Sequence, residues 1–148
     1  MDDAIYSTAI KMLAAREHSC FELKTKLKRK GYADLDIDPI IKQLLQDKYL
    51  NEERFTEVFV SSKINRGMGP VKIQMELQQR SIDSSLIDAY LDFNEEQWLE
   101  RAKQVRNKRF GKTPPTDNND KAKQIRFLQQ RGFTQKQIMS VIKSNIFE

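Results

Sequence analysis

Basic side chains at helical spacing are the residues of this sequence best suited to chemistry with a partner. Lys103, Arg106 and Arg109 recur every three residues, Lys123 and Arg126 repeat that step ahead of Gln130, and Lys24 and Lys28 stand four apart. Arginine forks suit phosphate or carboxylate. From 101 to 131 ten Lys/Arg face only Asp117 and Asp120, a net +8, whereas residues 1–92 hold 14 basic and 15 acidic residues. A block of this kind favours a polyanion, nucleic acid above all; on charge alone a solvated helix face is an equal alternative. The aromatics beside it, Phe110, Phe127 and Phe133, sit at repeat-equivalent or helix-end apolar positions and read as core rather than as base-stacking platforms.

Covalent and metal chemistry has little to work with. His18 is the single histidine, so a zinc triad or a Ser-His-Asp arrangement has little to work with; it precedes Ser19 and reads as a turn residue. Cys20 is the single cysteine. It excludes an intramolecular disulfide framework and, with no base nearby, reads as a packed residue. Gly67-Met68-Gly69-Pro70 lacks the Gly-Lys-Ser/Thr ending of a phosphate loop. Asp34, Asp36 and Asp38 lack the glycine of a calcium loop and read as a helix-capping run. No catalytic residue, metal site or cofactor is expected.

The elements that carry these residues form a repeat. Leu27–Tyr32, Leu77–Ile82 and Leu128–Phe133 each read apolar, two polar, basic, small, apolar, at offsets of 50 and 51. Five residues on come Ile37, Ile87 and Ile138, with further apolar pairs behind them. Self-similarity at a fixed period marks an array of one supersecondary unit. Capping boxes at Ser19–Glu22 and Thr134–Gln137, a looser one at Asn94–Gln97, Asn51 before two glutamates, and Pro39 and Pro70 as first-turn prolines predict helix starts. Gly31 and Gly132 predict left-handed helix ends. The expected helices are 3–16, 19–30, 38–48, 51–66, 70–80, 83–92, 94–109, 120–131 and 134–145, with Gly111–Asn119 as the clearest loop. The fold class is all-α: three tandem three-helix, helix-turn-helix-like repeats, 1–50, 51–93 and 94–148, in an elongated, curved array.

With 39% hydrophobic and 32% charged residues and a mean hydropathy of −0.69, the 148-residue chain suits a helical protein with a large solvated surface. No run of 18 apolar residues exists, and Met-Asp-Asp does not open a signal peptide, so a cytoplasmic protein without membrane contact is expected.

Several stretches resemble the RecX regulatory proteins. Arg16-Glu17-His18-Ser19 with Glu22–Leu27 is similar to the opening motif of that family, and Tyr49–Phe55 to a second. Arg66-Gly67-Met68-Gly69-Pro70 through Ile73, Glu76-Leu77 and Arg80 is similar to its most recognisable block, and Arg126–Phe133 to the closing one. Met68 replaces the usual aromatic. Ser81 replaces the usual glycine, which argues against a left-handed helix end there. The resemblance implies a monomeric, non-enzymatic protein that lies along the groove of the RecA filament on single-stranded DNA. There it would lower ATP hydrolysis, strand exchange and RecA-dependent repressor cleavage. Candidate contacts to filament or DNA are Lys24, Lys28, Arg66, Lys72, Lys103, Arg106, Arg109, Lys123, Arg126 and Arg131. An autonomous helix-turn-helix repressor that reads duplex DNA is the alternative; it would bind alone, whereas a modulator needs the recombinase. A nuclease is disfavoured for want of a metal cluster.

Overall fold

Apolar residues three and four apart, closed by polar caps, build nine helices in the computed structural model, which describes residues 3–143. They are α1 (Asp3–Ala15), α2 (Cys20–Arg29), α3 (Asp34–Gln46), α4 (Glu52–Asn65), α5 (Pro70–Gln79), α6 (Ser84–Tyr90), α7 (Glu95–Phe110), α8 (Asn118–Arg131) and α9 (Gln135–Lys143). No strand occurs among the described residues, so the all-α expectation holds. Residues 144 and 145 of the expected ninth helix lie outside the described part.

The sequence repeat is the C-terminal end of a helix. After α2 the Gly31 N–H donates to the Lys28 carbonyl and the Tyr32 N–H reaches back to Leu27. After α5 Ser81 and Ile82 bond to Gln78 and Leu77, and after α8 Gly132 and Phe133 bond to Gln129 and Leu128. This bond pair satisfies helix-end carbonyls and sets the leading leucine beside the trailing apolar residue. Leu27, Leu77 and Leu128 are all fully buried. The motif needs positive φ at its fifth residue: Gly31 is at 100° and Gly132 at 97°. Ser81 takes φ 57° too, so the expectation against a left-handed end there is overturned. The two carbonyl bonds and the burial of Leu77 outweigh a penalty of roughly 1–2 kcal/mol. Lys48 ends α3 in the same manner, at φ 63°.

Two helix starts move by more than one residue. α3 starts at Asp34 rather than 38, because the Ala33 carbonyl accepts from Asp36 and Ile37. Pro39 therefore sits inside the helix instead of in its first turn, and the carbonyl of exposed Leu35 loses its helical donor. Asp34, Asp36 and Asp38 are helical, not caps. α8 starts at Asn118, capped by Asp117, whose carboxylate accepts from the Asp120 N–H at 2.8 Å. Both expected capping boxes form. Asn94 and Asn51 each accept one N–H bond.

Packing sorts the chain into two compact units. The first holds the chain up to Phe59 plus Leu77–Tyr90; the second holds Val60–Glu76 plus the chain from Leu91. In the first, α1, α2 and α3 pack on one another around Ile5, Leu23, Leu27, Ile37, Ile40 and Leu44. In the second, α7, α8 and α9 pack mutually. There Trp98 meets Phe133 edge-on at 6.3 Å, and its indole N–H donates to the Asp92 carbonyl. Ala102, Leu128, Ile138 and Val141 complete that core.

Candidate anion-binding cleft

A backbone crossing in the second unit frames the site. The Gly69 N–H donates to the Arg131 carbonyl at 2.6 Å and the Val71 N–H to the Gly132 carbonyl at 2.9 Å. A Cβ on Gly69 would lie 2.4 Å from Gly132 backbone, and one on Gly132 would lie 2.3 Å from the Lys72 Cβ. Glycine is required at both positions by contact, and at Gly132 also by φ. Two motifs some sixty residues apart in sequence, 66–70 and 126–133, thus meet. Gly67, at φ 82°, closes α4 with the same double bond pattern, to Ile64 and, through Met68, to Lys63. The crossing sets the Arg131 guanidinium against the Arg66 carbonyl, donating at 3.1 Å.

Around this frame opens a cleft of about 800 Å³. Arg66, Arg101, Lys108, Arg109 and Arg131 supply five cations to it, and none of its lining residues is acidic. Among the described residues no carboxylate pairs with any of the five. Arg131 and Arg109 lie over the Phe127 ring at 5.2 and 5.8 Å, and Phe110 meets that ring edge-on at 5.3 Å. Arg101 lies over Trp98 at 4.6 Å. Aromatic faces hold cations by their quadrupole without neutralising them. The cleft is therefore a concentration of positioned positive charge, suited to capture an anion. The expectation that all three aromatics are core holds for buried Phe133 and fails for Phe127, half-buried in the cleft wall.

The expected contact residues part company here. Arg66, Arg109 and Arg131 line the cleft; Lys72, Lys103, Lys123 and Arg126 do not. Lys24 and Lys28, in the first unit, are held by Asp38 at 2.8 Å and Asp34 at 3.4 Å. Arg106 is no surface contact: it has no exposed area. Its guanidinium donates to Gln124 Oε1 at 2.9 Å, Asn107 Oδ1 at 3.0 Å, and the carbonyls of Gly111, at 2.7 Å, and Thr113. It pins the 111–117 connector instead. Burial lowers its pKa and Asp120 opposes that. Arg101 and Lys108 are lining residues that step-of-three reading misses. A step of three turns about −60° on a helix, so 103, 106 and 109 spread around α7, whereas 101, 104, 105 and 108 share one side.

The reactive side chains of the first unit are packed. His18 is buried; its Nδ1–H donates to the Arg16 carbonyl at 3.0 Å and its Nε2 accepts from Lys26 Nζ at 2.8 Å. Burial, with Arg16 beside it, lowers its pKa. Burial, and then Glu52, push the Cys20 thiol up to about 12, so thiolate chemistry is suppressed. No group of three or more metal-binding side chains occurs among the described residues.

Fold and cleft define an all-helical repeat protein with a strongly cationic cleft. Residues 6–44, 51–91 and 95–142 match, in order, the first, second and third three-helix domains of RecX. The chain is 42% identical over 136 residues to the regulatory protein RecX of Halorhodospira halophila, covering 92% of this chain and 84% of that one. It is 38% identical to that of Pseudomonas entomophila, covering 91% and 87%. The chain belongs to the RecX family. A crystal structure of a regulatory protein RecX is similar with a TM-score of 0.80 at 26% identity, over 95% of this chain and 71% of the other. That of RecX from Lactobacillus salivarius, at 21% identity, shares the fold with a TM-score of 0.76, over 95% and 93%. The protein is thus a member of a regulatory family. No described helix is long and apolar enough to cross a membrane.

Proposed function

We propose that this protein is a negative modulator of the RecA recombinase. It binds the RecA filament on single-stranded DNA along its groove and lowers ATP hydrolysis, strand exchange and repressor cleavage, restraining recombinational repair and the SOS response. The reading rests on one observation: relatives named as regulatory proteins match nearly the whole chain, with all three domains in order. The cleft supports it, because a filament groove offers DNA phosphates and acidic protein surface together. Arg66, Arg109 and Arg131, with Arg101 and Lys108, are the main contacts in this proposal. Lys72, Lys103, Lys123 and Arg126 add to the surrounding positive field. The protein acts as a cytoplasmic monomer without a cofactor.

Steady-state ATP hydrolysis by RecA on single-stranded DNA, titrated with this protein, is the test. The expected outcome is a fall in turnover at less than one molecule per recombinase protomer, while the protein alone hydrolyses no ATP. Unchanged turnover at saturation, with tight binding to one duplex site, would promote the autonomous repressor reading.

A further inference from the structure

We propose that the joint between α1 and α2 in the first unit is a pH-sensitive latch, closed by the neutral imidazole of His18 bonded to Lys26 and opened when that ring gains a proton. The latch stands apart from the modulator reading and from the cleft of the second unit.

The geometry fixes the protonation state of the closed latch. His18 lies in the turn between α1 and α2 and is 1% exposed. Its Nδ1 is 3.0 Å from the Arg16 carbonyl, which can only accept, so Nδ1 carries the hydrogen. Its Nε2 is 2.8 Å from the Lys26 ammonium, which can only donate, so Nε2 is bare. A second proton must go on Nε2, where it would point at a cation. The surrounding charges do not relieve it. Arg16 adds a further positive charge beside the ring, and Arg29 acts on Lys26 in the same sense. Glu22 is the one neighbouring acid that favours the imidazolium. Both its oxygens are engaged already, Oε1 by Arg16 and the Ser19 N–H, Oε2 by Arg16 and Arg80. From α4, Glu52 accepts from the Cys20 N–H and Arg54 holds Glu17.

Opening follows from the same contacts. Once Nε2 carries a hydrogen, donor faces donor and one partner must leave. His18 adjoins Ser19, the buried cap of α2, so its departure pulls on the capping box. Lys26 borders a cleft of about 340 Å³, with Phe21, Arg29 and Arg80, into which it can swing. Either movement removes the tie between the turn and the body of α2. Burial, with Arg16 and Lys26 beside the ring, holds the imidazole below the ordinary 6.5. The unfolded chain therefore binds this proton more readily than the folded one. The stabilisation from the latch is full above about 6.5 and fades as pH falls from there to the lower folded value.

The chain has one histidine and one tryptophan, His18 in the first unit and Trp98 in the second. NMR of the full, nitrogen-labelled chain across pH therefore reads both units at once. The imidazole Cε1–H signal is expected to titrate with a midpoint below 6.5. The amides of the α1–α2 turn should shift with the same midpoint while the Trp98 indole N–H stays still. Lys26→Met keeps the apolar stem and removes the ammonium, so its midpoint should rise toward 6.5. A parental midpoint at or above 6.5 overturns the latch. So does a midpoint that is unchanged or lower in Lys26→Met, because the lysine would then be a bystander or a partner of the imidazolium. Turn amides that ignore the titration would leave a buried histidine that latches nothing, and an indole signal that follows it would make the change global; either result sinks the proposal. Melting curves give a second reading. The parent should lose melting temperature as pH falls below about 6.5, and His18→Gln should lack that step; the same step in His18→Gln assigns it to another group and overturns the latch. If the glutamine variant does not fold, the Lys26→Met titration decides.

Discussion

The two units treat their cations in opposite ways. In the first, carboxylates meet them: Arg16 and Arg80 share Glu22 at 3.2 and 3.1 Å, Arg54 binds Glu17 at 2.5 Å, and Lys24 and Lys28 bind Asp38 and Asp34. In the second, Lys63–Glu76 at 3.9 Å is the one ion pair among the described residues, and three of the cleft cations, Arg101, Arg109 and Arg131, lie over aromatic rings instead. Exposed ion pairs each stabilise by roughly 0–1 kcal/mol, so the first unit's pairs mainly cancel its field. The contrast teaches that a count of Lys and Arg does not locate an anion site. What locates it is where acids are withheld.

The sharpest way to break this contrast is inside the second unit, where neighbouring arginines do different work. Arg106→Ala leaves the buried Gln124 carbonyl without its donor and frees the 111–117 connector. It is expected to destabilise by roughly 2–4 kcal/mol, from lost charged hydrogen bonds and a cavity. Arg109→Ala, exposed one turn on, should stay within about 0.5 kcal/mol while weakening anion binding. Urea denaturation of both variants checks this; equal destabilisation would erase the division between a structural and a ligand-facing arginine.

A smaller effect separates the same helix-ending motif in the two units. Ser81→Gly in the first relieves a left-handed serine, and a gain of about 1 kcal/mol is expected. Gly132→Ser in the second adds a Cβ against Lys72 as well as the φ penalty, so its loss should exceed that gain. Paired melting curves test both. A loss in Ser81→Gly would mean that the serine side chain contributes something the backbone pattern does not reveal.

These residues also show what was legible in the sequence. Local rules carried far: Leu27, Leu77 and Leu128, the capping boxes and the glycine ends depend on neighbours within one turn, and all appear in the structure. Pro39 misled because proline marks a first turn only when nothing upstream starts the helix earlier, and Ala33 does so through its backbone alone. Arg106 looked like its neighbours because its partners, Gln124 and two connector carbonyls, are set by tertiary packing. Arg101 and Lys108 were findable, since the 101, 104/105, 108 spacing is a helical stripe, but a search by strict threes passes over it. That 66–70 lies against 126–133 left no local signal beyond glycines too many for two helix ends.

The smallest effect concerns Glu22, where the first unit's pairing is densest. Its carboxylate accepts from Ser19 N–H at 3.1 Å and binds both Arg16 and Arg80. Burial pushes its pKa up, but the Arg16 and Ser19 hydrogen bonds and the two guanidinium charges outweigh it, leaving the group below its ordinary 4.5. A carboxylate depressed in the folded state binds fewer protons there than in the unfolded chain. Its stabilisation is therefore fully present above about 4.5 and fades as pH falls through the lower folded value. Melting temperatures of the parent and Glu22→Gln should differ clearly at neutrality, where the His18 shift that Glu22 also influences is not yet felt, and converge as pH falls below about 4.5. Asp83 and Asp120, also held low, remain in both proteins and cancel from the difference. A gap that ignores pH would mean that Glu22 contributes through shape and hydrogen bonding alone, and the first unit's carboxylates would then not be the counterpart of the charge left open in the second.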